Sequence, residues 1–345
     1  MKKEIRLLSQ LDLATYINSI GEPKFRASQI YDWIWKKNIT HFDQIKNVPK
    51  SVLEKLKTDF VLNAVQEHSR QISKDKTIKF VFTLHDGANI EGVLIPTSKR
   101  MTACVSSQVG CSLDCKFCAT GYLQRVRNLT SYEIVDQVVL INNVAKEIYG
   151  IPLSNIVYMG MGEPLLNYKN VVDSIRTISS PDALGMSPKR ITVSTAGIAK
   201  MIEKLADEGL KNHLALSLHA ANNIKRSAIM PINESNDLES LSNALIYWYK
   251  TTGIRPTLEY CVIENINAGE EEAHELVRFA KQFPCKINLI EYNAIEKADF
   301  RGVNYNQIDD FAAILEENNL IVNIRRSRGR DIDAACGQLA GKIES

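Results

Sequence analysis

From residue 102 onward, short runs rich in β-branched residues alternate six times with longer amphipathic stretches, and no other feature restricts the fold so tightly. The runs read TACVSS, NIVYMG, RITVST, HLALSLH, TLEYCVI and KINLIEY. Between or after them come SYEIVDQVVLINNVAKEIYG, GIAKMIEKLADEGL, SLSNALIYWYKTTG, EEEAHELVRFAKQF and QIDDFAAILEENN. Short apolar runs suit buried strands, and the longer stretches carry helical spacing. Six such units in succession imply an α/β fold of parallel strands with right-handed crossovers. Such a sheet can lie open and doubly wound or curl into a barrel, and periodicity leaves both open. In either form ligands gather at the carboxyl ends of the strands.

Upstream the pattern changes. In FRASQIYDWIWKKNI, Ala27, Ile30, Tyr31 and Ile34 make one apolar stripe, and Lys36 and Lys37 suit the end of that helix. PKSVLEKLKTDF opens with a proline and a serine suited to a helix start. Residues 1–76 are therefore expected to form a small helical domain. Residues 77–324 are expected to hold a β-hairpin, signalled by His85-Asp86-Gly87 within 77–96, and then the α/β core. Residues 325–345 form a C-terminal segment.

The net charge of +2 hides an asymmetry. Residues 1–76 carry 14 Lys/Arg against 9 Asp/Glu, and a second basic cluster, RRSRGR, occupies 325–330. Local positive patches suit a polyanion such as RNA, although each patch alone also fits an ordinary solvated lysine-rich surface. No apolar stretch is long enough for a membrane span, and the first residues lack a signal-peptide core, so a cytoplasmic protein without membrane contact is expected. Seven cysteines, an odd number, suit a reducing compartment with metal-binding or catalytic thiols.

Three of those thiols, Cys111, Cys115 and Cys118, crowd the loop after the first strand of the repeat, in GCSLDCKFCATG. A closed zinc site takes four protein ligands. Three thiolates can instead hold three irons of a four-iron cluster and leave the fourth exchangeable, open to the amino and carboxylate groups of S-adenosylmethionine. A zinc site completed by a distant ligand is the competing reading. Cys261 and Cys285 read as small buried apolar residues. Cys336 follows the basic run and precedes a glycine, which suits an accessible loop, and Cys104 can face the same cavity from the first strand. Such a pair could bridge transiently if their α-carbons approach within about 7 Å.

MGMGEP, residues 159–164, fails as a dinucleotide fingerprint but suits close approach of a ligand to backbone, with Glu163 or local carbonyls accepting from an amino group. Ser194, Ser217, His219 and Asn293 stand at strand ends, where small polar groups can bond a cofactor. Glu91, in NIEGVLIP, is a carboxylate within an otherwise apolar strand, where burial would raise its pKa toward that of a general base.

The blocks CVSSQVGCSLDCKFCATG, MGMGEPLLN, STAG, LSLHA, MPIN and DIDAACGQLAG resemble, in order, those of the RlmN/Cfr family of RNA adenine methyltransferases among the radical S-adenosylmethionine enzymes. The resemblance covers essentially the whole chain. It implies a partial (βα)6 barrel with an RNA-binding N-terminal accessory domain, and a [4Fe-4S] cluster on Cys111, Cys115 and Cys118. It implies two S-adenosylmethionine molecules per turnover, contacted by Gly162, Glu163, Ser194, Ser217, Leu218, His219 and Asn293. By the same resemblance Cys336 is S-methylated, Cys104 closes a transient disulfide with it, and Glu91 accepts the proton. The implied substrates are carbon 2 of adenosine in 23S rRNA and of the adenosine beside the anticodon in tRNA. A flavodoxin-like electron donor and a monomeric enzyme are implied as well. Pro164 after Glu163 resembles the carbon-2 branch. A carbon-8 methyltransferase is the near alternative, and a non-catalytic RNA-binding protein with a structural metal site the distant one.

Overall fold

A computed structural model describes residues 2–37, 39–62 and 65–340. The N-terminal module holds α1 (Gln10–Ser19), α2 (Phe25–Trp35) and α3 (Lys50–Asp59). Ser9 caps α1 in a reciprocal pair with Asp12. In α2, Ala27, Ile30 and Ile34 are buried as the stripe requires, and Trp35 joins them. Lys3–Glu4 pairs in parallel with Phe60–Val61 and ties the module's two ends together.

Ten strands form the main sheet: β1 (Gln66–Ile72), β2 (Ile78–Thr83), β3 (Asn89–Pro96), β4 (Met101–Cys104), β5 (Asn155–Tyr158), β6 (Ile191–Thr195), β7 (His213–Ser217), β8 (Thr257–Val262), β9 (Lys286–Glu291) and β10 (Val322–Arg325). They lie in unbroken chain order. The pairs from β1 to β4 are antiparallel and those from β4 to β10 are parallel. A doubly wound sheet must reverse its strand order somewhere, and this one does not. Right-handed crossovers that always advance in one direction put their helices on one side, and the sheet curls around its other face. The edge strands β1 and β10 do not pair with each other, so the barrel is partial.

The crossovers are α4 (Ser131–Tyr149), α5 (Tyr168–Ser179), α6 (Ala199–Asp207), α7 (Asn223–Ile229) with α8 (Leu238–Thr252), α9 (Glu270–Ala280) and α10 (Tyr305–Glu317). Thr130 and Glu133 cap α4 reciprocally, and Gly150, at φ 68°, ends it. The N-terminal module docks on this helix. Arg6 bridges Glu4 and Asp136 of α4, and the second Asp136 oxygen accepts from the Val65 N–H at 2.9 Å. Removing one partner of so buried a pair costs about 3–5 kcal/mol. Among the described residues no helix is long and apolar enough to cross a membrane.

Two strands were not expected. Residues 66–72, placed with the helical domain ending at 76, pair antiparallel with β2, so the helical module gives way to the sheet before that boundary. QEHSRQI is an edge strand with mostly exposed side chains, so it carries no alternation of apolar residues. Val322–Arg325 pairs in parallel with β9 and adds a seventh parallel strand after the sixth βα unit. Four half-exposed residues are too short a run to stand out.

Candidate active site

The three-cysteine loop leaves β4 and returns through a short antiparallel pair, Gln108–Val109 with Arg127–Asn128, which closes its base. Glycine is required at two points. A Cβ on Gly110, at φ +74°, would lie 2.2 Å from the Gln124 carbonyl oxygen, and one on Gly121 would lie 2.6 Å from that of Cys115. The Lys116 N–H donates to the Ile229 carbonyl at 3.0 Å and pins the loop to the end of α7. Cys111, Cys115 and Cys118 all face one cavity at the carboxyl mouth of the barrel, with about 1030 Å³ of unfilled space.

Burial raises all three thiols: Cys111 to about 11, Cys115 well above its ordinary value with repulsion from Cys118 and Cys111 added, and Cys118 upward. Without a cation they would stay protonated. Arg226 on α7 supplies an independent indication of charge. It is fully buried, it has no carboxylate ion pair among the described residues, and burial pulls it down to about 10 while Cys115 pulls it back up. A buried guanidinium beside a soft three-donor set suits thiolates held by iron, whose combined charge is negative. The residues present fit a cluster on one cavity wall.

On the opposite wall the MGMGEP turn meets the expectation of close packing. Gly162 has φ +93°, and a Cβ there would lie 2.4 Å from the Gln108 side chain. Glu163 is buried, accepts from the Leu165 and Ala196 N–H groups at 2.9 and 2.8 Å, and burial raises its pKa. Each carboxylate oxygen keeps a lone pair for an amino group. Ser194, Ser217 and His219 line the same cavity. His219 stands at φ 56°, its Nδ1 accepts from the Cys261 N–H at 2.9 Å, and burial, aided by Arg226, lowers its pKa to about 3. The ring is neutral, so Nε2 carries the proton and is a donor. Phe117 meets it edge-on at 4.7 Å.

Two of the expected cofactor residues do not line the cavity. Leu218 is fully buried and does not line the cavity; its carbonyl accepts from Arg226 at 3.1 Å. Asn293 is spent on the C-terminal segment: its amide donates to the Cys336 carbonyl at 3.2 Å and its oxygen accepts from Arg330 at 2.9 Å. Small polar residues at neighbouring strand ends look alike in sequence, and which one reaches the cavity depends on what crosses the mouth.

That segment, from Arg326 to Ala340, carries Cys336 to the cluster loop. The Ala119 N–H donates to the Gly337 carbonyl at 2.7 Å, and Thr120 donates to the Leu339 carbonyl at 2.6 Å. Cys336 is solvent-accessible yet walled by protein within the cavity, and that surrounding raises its thiol while Arg325 lowers it. Cys104 is buried beneath it, raised to about 12 by burial and by the nearness of Cys336. Cys104 does not itself line the cavity, whereas Cys261 does and also feels Cys336. Cys261 is buried as expected, in a small apolar cluster with Ile263 and Tyr292, and in addition it borders the cavity. Cys285 is buried away from the cavity, with its thiol against the Ala280 carbonyl.

Glu91 differs from the expectation of an unaccompanied carboxylate. It is fully buried, Lys79 Nζ lies 3.2 Å from Oε1, and Oε2 accepts from the Ala340 N–H at 2.9 Å. Lys79 sits on the neighbouring strand β2, opposite Val93 and so diagonal to Glu91, and its ammonium gives the buried carboxylate a counter-charge. Glu91 does not line the main cavity.

Sequence reasoning missed Arg226, Glu259, Arg325 and Gln108. Buried Glu259 pairs at 3.4 Å with half-exposed Arg325 in the cavity wall beside Cys336, and Gln108 accepts from the Glu163 N–H at 2.8 Å. Glu259, a carboxylate in the apolar run TLEYCVI, and Arg325, within RRSRGR, carried signals that could have found them, whereas Arg226 and Gln108 carried none.

Residues 105–277 match the radical SAM superfamily, and residues 4–62 match the ribosomal RNA large subunit methyltransferase N-terminal domain. A probable dual-specificity RNA methyltransferase RlmN of Cytophaga hutchinsonii is 55% identical, with 99% of this chain and 93% of that one covered. The protein of the same description in Christiangramia forsetii is 52% identical over 99% and 97%. Among solved structures, a radical SAM methyltransferase from Sphaerobacter thermophilus superposes with a TM-score of 0.94 at 37% identity, covering 99% and 100%.

Proposed function

Because the chain belongs to the radical SAM superfamily, and within it to the RlmN RNA methyltransferases, we propose that it methylates carbon 2 of adenosine in 23S rRNA and in tRNA. The observation that carries this reading is the meeting of Cys336, on the C-terminal segment, with the three-cysteine loop in one cavity, with Cys104 within charge reach. Held by Cys111, Cys115 and Cys118, a four-iron cluster would supply the electron that splits S-adenosylmethionine homolytically.

The chain's own groups do the rest. Glu163 and His219 orient the donor, one as acceptor and one as Nε2–H donor. Cys336 takes up a methyl group as thiolate, and Arg325 favours that charge against burial. A hydrogen atom passes from its methyl group to the deoxyadenosyl fragment of a second donor, the carbon joins the adenine ring, and the adduct would return its single electron to the cluster held by Cys111, Cys115 and Cys118, so two donor molecules are consumed per product. Glu91 takes the ring proton, for which the Ala340 N–H and the C-terminal segment must release Oε2. Cys104 then attacks the Cys336 sulfur, which leaves a disulfide and frees the methylated base.

Nucleoside mass spectrometry of 23S rRNA and tRNA from cells with and without the protein tests the reading. The expected result is 2-methyladenosine in both RNAs, none with Cys336→Ala, and a covalent protein–RNA adduct with Cys104→Ala. Formation of 8-methyladenosine, or turnover by Cys336→Ala, overturns it.

A further inference from the structure

The amino-terminal mouth of the barrel, at the far end of the strands from the thiols, is a second charged site. An open groove of about 1310 Å³ there is lined by Arg100, Lys189, Arg190, His213 and Lys286, with Asn155, Ser187, Thr192 and Thr257 between them. Every side chain in that wall can donate a hydrogen bond, and none is a carboxylate. Among the described residues Arg100, Lys189, Arg190 and Lys286 form no ion pair, and all four are exposed. Elsewhere on this surface several cations are paired, Lys36 with Asp32, Lys57 with Asp43, Lys225 with Glu272 and Arg326 with Glu291; what sets these four apart is that they share one groove whose wall holds no carboxylate. Like charges gathered without counter-charge repel one another, so the arrangement favours a bound polyanion.

The chain that leads into one side of the groove passes near the basic N-terminal module. Tyr31 and Lys36, at the end of α2, lie within electrostatic reach of Asp182, in the stretch that leads into Ser187–Arg190. We propose that this groove binds the sugar–phosphate backbone of the RNA substrate at a distance from the reacting base, as a second anchor beyond the N-terminal module. The proposal rests on the reading of the protein as an RNA methyltransferase.

An acidic protein electron donor is the other class of partner such a patch could attract. It is disfavoured by position. The five residues of β7 span about 17 Å between the groove and the cluster mouth, and a donor must approach the cluster because electron transfer falls steeply with distance. A small polyphosphate shares the chemistry, but an open, exposed rim of cations suits a running backbone better than an enclosed anion.

The test is RNA binding by the cluster-loaded protein and its Lys189→Ala/Arg190→Ala/Lys286→Ala variant, measured by fluorescence anisotropy against salt, with a 23S rRNA fragment and with sodium tripolyphosphate. The expected results are roughly tenfold weaker RNA binding and a log–log salt slope shallower by about two to three. Product formation per bound RNA should be unchanged, and Lys189→Arg/Lys286→Arg should retain affinity. RNA binding unchanged in the triple variant overturns the proposal. So does a variant that loses only tripolyphosphate binding, or only the rate at which a reduced donor drives cofactor cleavage. Absence of RNA binding by the wild type would instead sink the methyltransferase reading itself.

Discussion

The same parallel strands end in two mouths of opposite character. At the carboxyl mouth, Cys111, Cys115, Cys118, Cys261 and Cys336 share a walled cavity with Glu163, Glu259 and Arg325, and the loops that supply them are long. At the amino mouth most lining side chains are exposed and every charged lining group is basic. The difference follows from direction. Helices return over the outside, so the loops after each strand are free to grow and carry chemistry, while those before each strand keep the register. Burial sets the charge at one end by shifting pKa values. Solvent leaves it alone at the other. The comparison assigns reaction to the first mouth and binding to the second.

The largest test of that division is Cys118→Ala. It should remove the brown iron–sulfur chromophore and all cleavage of S-adenosylmethionine, while RNA affinity and its salt dependence stay as they were. Parallel loss of RNA binding would show that the two mouths are not separable. Next in size is Arg226→Leu. Arg226 donates to the carbonyls of Ala196, Leu218 and Ser217, and to Asn233, so one side chain ties together the ends of β6 and β7 and the turn after α7. Losing it leaves several buried acceptors unpaired, at about 3–5 kcal/mol in all. Anaerobic urea denaturation should show that loss as a lower midpoint. An exposed cation of the amino mouth, such as Lys189, should cost almost nothing in the same assay, and a comparable loss there would break the contrast.

The division was half legible in the sequence. Strand–helix alternation announced the parallel core, because strands buried on both faces leave continuous apolar runs. It could not choose between an open sheet and a curled one, since strand order is a long-range property. The cysteine trio was legible because its ligands are local, within eight residues. Leu218 and Asn293 were not separable from Ser217 and His219 by pattern. Asn293 is set apart by a C-terminal segment that arrives more than forty residues later and takes its amide, and Leu218 by a side chain turned wholly into the core. Glu91 was found as an anomaly in an apolar strand, but its partner Lys79 lies across a hairpin and had no voice in a local reading. The amino-mouth groove was the least legible part. Its basic residues come from four separated places, Arg100, the pair Lys189-Arg190, His213 and Lys286, none long enough to stand out as a basic run.

The finest test uses the two histidines that flank one strand. β7 begins at His213, in the cationic groove, and His219 lies just beyond its end, in the thiol cavity. Burial lowers both, His219 to about 3 from 6.5, and Lys286 adds to the lowering of His213. A histidine held neutral in the folded state takes up its proton only on unfolding. Its contribution to stability is therefore complete above pH 6.5 and drains away as pH falls below that value toward 3, by up to about 1.4 kcal/mol per pH unit. His219→Asn should flatten that acid-side decline in cluster-free protein followed by urea denaturation. Asparagine suits the position because its side-chain oxygen can accept the Cys261 N–H and it tolerates positive φ. His213→Asn should flatten the decline far less, because an exposed ring recovers hydration. Equal effects from the two substitutions would mean that both ends of the strand are equally dry, and the contrast between the mouths would fail.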